Sequence, residues 1–376
     1  MEKKYLIVNL GSVSKKYAIY FGKEIKLRAR VERGGADEDD FELALEKFLN
    51  SAQEKGIIKN EKDINGVGLR VVAPGSYFRE DMLIDEEYLK NLEEAEEKAP
   101  LHLRPLISEI KDLKRMFPEI PFAGISDSAF HKDLPKHSFY YNIPLEDAED
   151  SDIYRFGYHG ISIQSILRKI EKRSGKILPR VIVAHLGGGS SITAIHNGKS
   201  VDTSMGFTPL EGLPMVTRAG SIDTKAALQL AKEKGMNSEE LNEYLNTKCG
   251  LLGLSGGKSS NVRELFDLKE NGDEDASLAL EVFAYQIKKY IGAYISVLGG
   301  LDMLVFSGTI SEKSSSMREM ILDGLEAIGI EMDKKKNNDT LDKDGQIESK
   351  SSKVKIEIIK TNEVEEIALK TINLLN

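Results

Sequence analysis

The chain carries an internal echo of itself. Shifting the numbering by 176 lays the N-terminal stretch LIVNLGSVSKKYAIYFGK on IVAHLGGGSSITAIHNGK. Asn9 then falls on His185, and Leu10, Gly11 and Ser14 fall on Leu186, Gly187 and Ser190. Ala18, Ile19, Gly22 and Lys23 meet Ala194, Ile195, Gly198 and Lys199. Each copy reads as an apolar strand, a small-residue turn, a return strand and a Gly-Lys corner. A glycine-rich turn alone merely joins strands, although its converging N–H groups can also cradle a phosphate. Two copies this far apart are not a short solenoid repeat. They predict two similar lobes, each presenting a phosphate-binding hairpin to a shared cleft.

Length supports this reading, because 376 residues exceed what one core usually organises. A net charge of −9 argues against a nucleic-acid-binding surface. No run of 18 apolar residues is present, so no membrane span is expected. The single cysteine, Cys249, excludes an internal disulfide and fits a reducing cytoplasm.

In order, Lys4 to Val8, Lys16 to Phe21 and Glu24 to Val31 read as consecutive antiparallel strands, and Asp37 to Lys55 as a helix. The strand from Gly66 to Val72 carries Arg70, which is either half of a structural ion pair or an anion clamp. The strand Pro121 to Ser126 delivers Asp127 at its C-terminal end, where catalytic carboxylates, metal ligands and helix caps all occur. His159 lies between glycines just before a helix. Asp302 to Phe306, the Ser307–Ser311 turn and the helix from Ser316 to Ile328 form a strand–turn–helix unit suited to a nucleotide. The polar stretch Lys334 to Ser352 is expected to be a flexible excursion. Lys355 to Lys360 is the last strand, and a closing helix starts at Val364.

The pieces NLGSVSKK, GLRVV, ISDSAFH, FGYHG, AHLGGGSSITAIHNGKSVDTSMGFTPLEGLPMVTRAGSID, FSGTISEKS and KTNE, taken together from Asn9 to Glu363, resemble the acetate kinase family. The resemblance implies an α/β protein with the two-lobed actin-like ATPase architecture: a duplicated, ribonuclease H-like fold of mixed sheets flanked by helices. It implies a first lobe of residues 1–147 plus 364–376 on the carboxylate and metal side, and a second of residues 148–363 on the nucleotide side. The implied activity is reversible transfer of the ATP γ-phosphate to acetate, giving acetyl phosphate and ADP, with propionate or another short acid as the alternative acceptor. Mg2+ (or Mn2+), a cytoplasmic location and a homodimer come with it, and neither nucleic acid nor membrane is a partner.

By position, Asn9, Asp127 and Glu363 match the residues that surround the metal and orient the carboxylate. Arg70 and Arg218 match the pair gripping the phosphoryl group, and His159 the histidine that stabilises it. His102 matches a second, less central histidine, and Val72, Leu101 and Pro209 the apolar wall for the acyl methyl. Ser12, Ser14 and Lys16 match the first phosphate hairpin; His185, Gly187, Gly188 and Gly189 match the second. Asn261, Val262 and Arg263, with Gly308, Thr309, Ile310, Ser311 and Glu312, match the nucleoside site. The chemistry is coherent, since a loose phosphoryl transition state spreads negative charge that two arginines, a histidine and a cation offset. An ionised carboxylate needs no strong general base.

Several positions depart from the family's pattern. Leu69 and Ala73-Pro74-Gly75 stand where histidine and His-Gly-Gly are usual, Gly188 replaces an asparagine, and Ala219-Gly220-Ser221 replaces Ser-Gly-Asp. Asn261 stands for a nucleoside-contacting aspartate, and Gly308 to Lys313 read GTISEK instead of a glycine-richer loop. A non-catalytic nucleotide-binding relative is the competing class. Retention of Asn9, Arg70, Asp127, His159, Arg218 and Glu363 together argues against it, and expectation falls on a working kinase with altered substrate preference.

Overall fold

The computed structural model describes residues 2–11, 14–32 and 43–376, the side chains of Leu101 and His102 excepted. The chain divides into two compact units. One comprises Met1–Lys132, Gly160–Ser165 and Asn362–Asn376, the other Asp133–His159 and Ile166–Thr361. This division falls before the expected boundary at residue 147, because the segment after Lys132 is bonded to the second unit. Lys199 pairs with Asp133 at 3.1 Å, Ser138 Oγ donates to the Val201 carbonyl at 2.8 Å, and the Tyr158 hydroxyl donates to the Phe207 carbonyl at 2.6 Å.

The first unit holds strands β1 (Lys4–Leu10), β2 (Ser14–Phe21), β3 (Glu24–Glu32), β4 (Gly66–Val71), β5 (Met82–Leu83) and β6 (Phe122–Ser126). They form one sheet in the order β3-β2-β1-β4-β6-β5. β1 is apolar on both faces, as a central strand must be. Leu6 and Val8 enter one cluster with Leu103 and Ile110, while Tyr5 and Ile7 enter another with Ile367 and Ile372. The helix Glu363–Leu375 packs on β1, β4 and β6. Gly68 permits that approach, since a Cβ there would lie 1.9 Å from Thr371 Oγ1.

The second unit holds β7 (Arg180–Leu186), β8 (Ser190–His196), β9 (Lys199–Thr203), β10 (Met303–Ser307), β11 (Gly345–Gln346) and β12 (Lys355–Ile358). Their order is β11-β12-β10-β7-β8-β9. Read from β9, the sequence of antiparallel, antiparallel, parallel, parallel and antiparallel neighbours repeats that of the first sheet read from β3. The echo is therefore a duplicated six-stranded fold, with mixed sheets flanked by helices as expected. The 25-residue helix Glu274–Leu298 lies against β7 and β8.

The echo does not hold residue by residue through the return strand. Asn9 pairs with Lys16, whereas His185 pairs with Ser191. The second turn is one residue shorter, and the register shift that falls at Ile19/Tyr20 in one copy falls at Ala194/Ile195 in the other. The ungapped match of Ala18 to Ala194 thus joins residues that face different ladder positions.

One further expectation is met within the described residues and another is corrected. The helix expected over Asp37 to Lys55 is described from Ala44 to Glu54, and residues 33–42 lie outside the described residues. Lys334 to Ser352 is not a loose excursion: it contains the helix Lys334–Asp339 and β11. The reason is Arg318, which is fully buried and donates to Asn337 Oδ1 at 2.7 Å, to the carbonyls of Asn337 and Thr340 at 2.7 and 2.9 Å, and to that of Ser311. Burial pulls the Arg318 pKa down to about 10, and the carbonyl clip is what makes such a cation tolerable.

Candidate active site

In the first unit, cross-strand pairing decides what converges. Asn9 and Lys16 are register partners at the turn end of the β1–β2 hairpin. Both reach Glu363, the first residue of its helix: Asn9 Nδ2 donates to Oε2 at 2.8 Å and Lys16 Nζ approaches the same oxygen at 3.3 Å. Ser162 Oγ donates to the other oxygen at 2.5 Å. Arg70 on β4 and Asp127 just beyond β6 are brought together by parallel neighbours, and Arg70 Nη2 donates to Asp127 Oδ2 at 2.8 Å.

Of the two readings left open for Arg70, ion pair or anion clamp, the pair with Asp127 is the one observed. One nitrogen is paired, while Nε is buried with no hydrogen-bond partner among the described residues. Burial works against the charge, but the Asp127 and Glu363 carboxylates outweigh it and hold the guanidinium above its ordinary pKa. Asp127 is 1% exposed. Val72 is half-buried immediately after β4, two residues from Arg70, and Ser14 is buried at the start of β2. Ser12 and the side chains of Leu101 and His102 lie outside the described residues.

In the second unit, His159 occupies the left-handed region at φ 63°, directly before the helix Gly160–Ser174. Such a backbone in a non-glycine residue stores strain and marks a constrained position. Its Nδ1 lies 2.9 Å from Ser191 Oγ, and its ring centroid lies 4.6 Å from that of His185. The other ring nitrogen faces the glycine turn. A Cβ placed on Gly189 would lie 3.2 Å from His159 Nε2 and 3.6 Å from Arg218 Nη1. One histidine and one arginine therefore flank the backbone of the second hairpin, whose glycine turn is the expected phosphate cradle. Arg218 also donates from Nη1 to the carbonyl of Pro209 at 3.4 Å.

The expected nucleoside residues divide by orientation. Gly187 lies beside Thr309, its Cβ position 3.5 Å from Thr309 Oγ1, and Thr309 is exposed. Ile310, Ser311 and Glu312 turn inward. Glu312 Oε1 accepts the Gly308 N–H at 2.8 Å, and Ser311 Oγ donates to the Ser307 carbonyl at 2.5 Å, so both brace the loop from within. Asn261 caps the helix Val262–Glu270 by accepting the Arg263 N–H at 3.0 Å; Val262 is buried and Arg263 exposed. Gly188 has open space around it.

Two site residues were not singled out in the sequence, Ser162 and Ser191. Both had a signal. Ser191 sits opposite His185 once the hairpin register is known, and Ser162 falls in the first turn of the helix that His159 precedes.

Residues 4–369 match the acetokinase family. An acetate kinase of Coprothermobacter proteolyticus is 40% identical over 385 residues, covering 96% of each chain. The crystal structure of Porphyromonas gingivalis acetate kinase aligns with a TM-score of 0.87 at 33% identity over all of both chains. That of a propionate kinase from Francisella tularensis aligns at 0.85 and 34%, covering 99% of this chain and 100% of the other. A duplicated α/β fold, two matching hairpin motifs in sequence and near-complete coverage by these relatives agree, and the chain belongs to the acetokinase family.

Proposed function

We propose that the chain transfers the γ-phosphoryl group of ATP to acetate, reversibly. A carboxylate oxygen of acetate attacks the γ-phosphorus, and the bond to the bridging oxygen breaks with its electron pair leaving on ADP. The observation that carries this reading is Arg70: a half-buried guanidinium, neutralised by Asp127, with a buried donor, Nε, still unmatched among the described residues. Such a donor is what a transferring phosphoryl or a substrate carboxylate satisfies. Arg218 and His159, converging on the Gly189 backbone, supply the second set of donors. No side chain is needed as a base, so Asp127 acts on Arg70 and on the cation.

Mg2+ belongs to the same reading. Among the described residues no group of three or more His, Cys, Asp or Glu side chains could cage a metal. Asp127, Glu363 and Asn9 instead suit a cation that arrives on nucleotide phosphates and keeps most of its water. When bound, it offsets charge on the phosphate oxygens. Asn9, Lys16 and Ser162 already orient Glu363 for that task.

A homodimer is part of the proposal. Leu278 and Tyr285, seven residues apart on the helix Glu274–Leu298, are 50% and 65% exposed. A cytoplasmic location, where ATP and a free thiol such as Cys249 both persist, completes it. No helix among the described residues is long and apolar enough to cross a membrane.

Trapping the product with hydroxylamine tests the activity directly. Acyl hydroxamate should form from acetate, ATP and Mg2+. No hydroxamate from acetate or propionate would overturn the reading.

A further inference from the structure

The loop that carries Pro209 is held by a carboxylate that the family motifs do not assign to substrate. Glu211 lies two residues after Pro209. Its Oε1 accepts from Arg155 Nη1 at 2.7 Å and its Oε2 from the Tyr141 hydroxyl. The Tyr141 oxygen in turn accepts the N–H of Phe207, two residues before Pro209, at 2.7 Å. The Phe207 carbonyl takes the Tyr158 hydroxyl at 2.6 Å, and the Gly206 carbonyl takes the Phe156 N–H at 3.1 Å. Pro209 therefore sits at the apex of a short turn pinned on both sides, and its carbonyl receives Arg218.

The clasp is tightly fitted. A Cβ on Gly206 would lie 1.6 Å from Glu211 Oε2 and 2.1 Å from the Tyr141 oxygen. The Arg155 guanidinium also lies 5.0 Å from the Tyr141 ring centroid, so the three side chains brace one another. The Glu211 and Arg155 side chains are 29% and 21% exposed, a setting in which a paired charge holds its geometry better than at an open surface.

We propose that Glu211 is a positioning residue for acyl recognition: clasped by Arg155 and Tyr141, it fixes the Phe207–Glu211 turn, and with it Pro209 and the carbonyl that receives Arg218. This rests on the reading of Pro209 as part of the acyl wall. Glu211 acts through the turn and not by touching substrate. Its effect should therefore appear in the handling of the carboxylate's alkyl end, leaving nucleotide binding alone.

The test compares the wild-type chain with Pro209→Ala, Glu211→Ala, Glu211→Gln, Tyr141→Phe and the Glu211→Ala/Tyr141→Phe double variant, with kcat and KM measured for acetate, propionate, butyrate and ATP. Glu211→Ala should raise the acetate KM about tenfold and shift the propionate-to-acetate ratio of kcat/KM by roughly fivefold or more, within the range a reshaped apolar pocket provides. Its ATP KM should stay within about twofold of wild type. Tyr141→Phe, which keeps the ring, should shift the ratio in the same direction, and the double variant should add little to Glu211→Ala. Glu211→Gln, which keeps an acceptor for Arg155, should recover part of the loss. A uniform loss of kcat with ATP KM, at unchanged acyl ratio, would reduce Glu211 to a structural role and overturn the proposal. If Pro209→Ala shifts the ratio while Glu211→Ala and Tyr141→Phe do not, the positioning role alone fails. If Pro209→Ala leaves the ratio unchanged, the acyl-wall reading fails and this proposal with it.

Discussion

Arg70 divides its donors: Nη2 is fixed on Asp127 at 2.8 Å, while Nε stays buried and unmatched among the described residues. Lysine could not do both, having one compact charge and no planar fork. Arg70→Ala and Arg218→Ala should each lower kcat by roughly 10²-fold or more, the scale of losing one preorganised charge partner in a transition state. Hydroxamate turnover checks this, and near wild-type rates in Arg218→Ala would remove its role. His159 depends on a neighbour in the same way. Ser191 Oγ lies against Nδ1, while Nε2 is on the side of the glycine turn, so the hydroxyl fixes the ring's orientation. Ser191→Ala should lower kcat about tenfold, equivalent to one hydrogen bond of about 1.4 kcal/mol, with the ATP KM unchanged. The nitrogen-15 shifts of the His159 ring should move with it, and unchanged shifts would contradict the assignment. His159 and Arg70 were legible in the sequence as residue types in context; which partners their atoms take was not, because those partners are delivered by other strands.

At the scale of elements, the loop after β10 is braced from within. Glu312 closes the loop on the Gly308 N–H, and burial raises its carboxyl pKa despite that bond, which favours the charge. A folded pKa above the unfolded one means that the fold binds this proton more tightly. The stability it contributes grows as pH falls through the carboxylate range and is lost as pH rises through the folded pKa. Glu312→Gln keeps the acceptor without the charge, so it should melt higher than wild type at neutral pH, with the difference shrinking on acidification. Thermal denaturation across that range decides it, and a variant that is less stable at neutral pH would contradict the account. Asn261 is occupied as a helix cap, and Ser311 and Glu312 face inward. These side chains are engaged by the protein's own backbone. ATP, GTP and ITP should accordingly support rates within about tenfold of one another, and an ATP preference above about 100-fold, roughly 2.7 kcal/mol, would overturn this.

For the whole molecule, the first measurement is mass in solution: light scattering should give twice the 41.8 kDa chain mass, and a monomer at working concentration would remove the proposed dimer. The duplicated fold itself was legible in the sequence, because strand periodicity and turn chemistry act over a few residues and recur wherever the same local pattern recurs. The N-terminal hairpin, the strand that delivers Asp127 and the glycine turn at Gly187–Gly189 needed only that local grammar. Tertiary structure decided the rest. It shortened the second hairpin turn and thereby slipped the return strand by one residue, and it packed Lys334 to Ser352 around a buried Arg318. It set Asn9 on Glu363, 354 residues away along the chain, and closed Arg155 and Tyr141 on Glu211. Such pairings follow from which groups lose water together when sheets and helices stack. A buried donor must take whatever acceptor the packing brings within 3 Å, and sequence spacing holds no information about that distance.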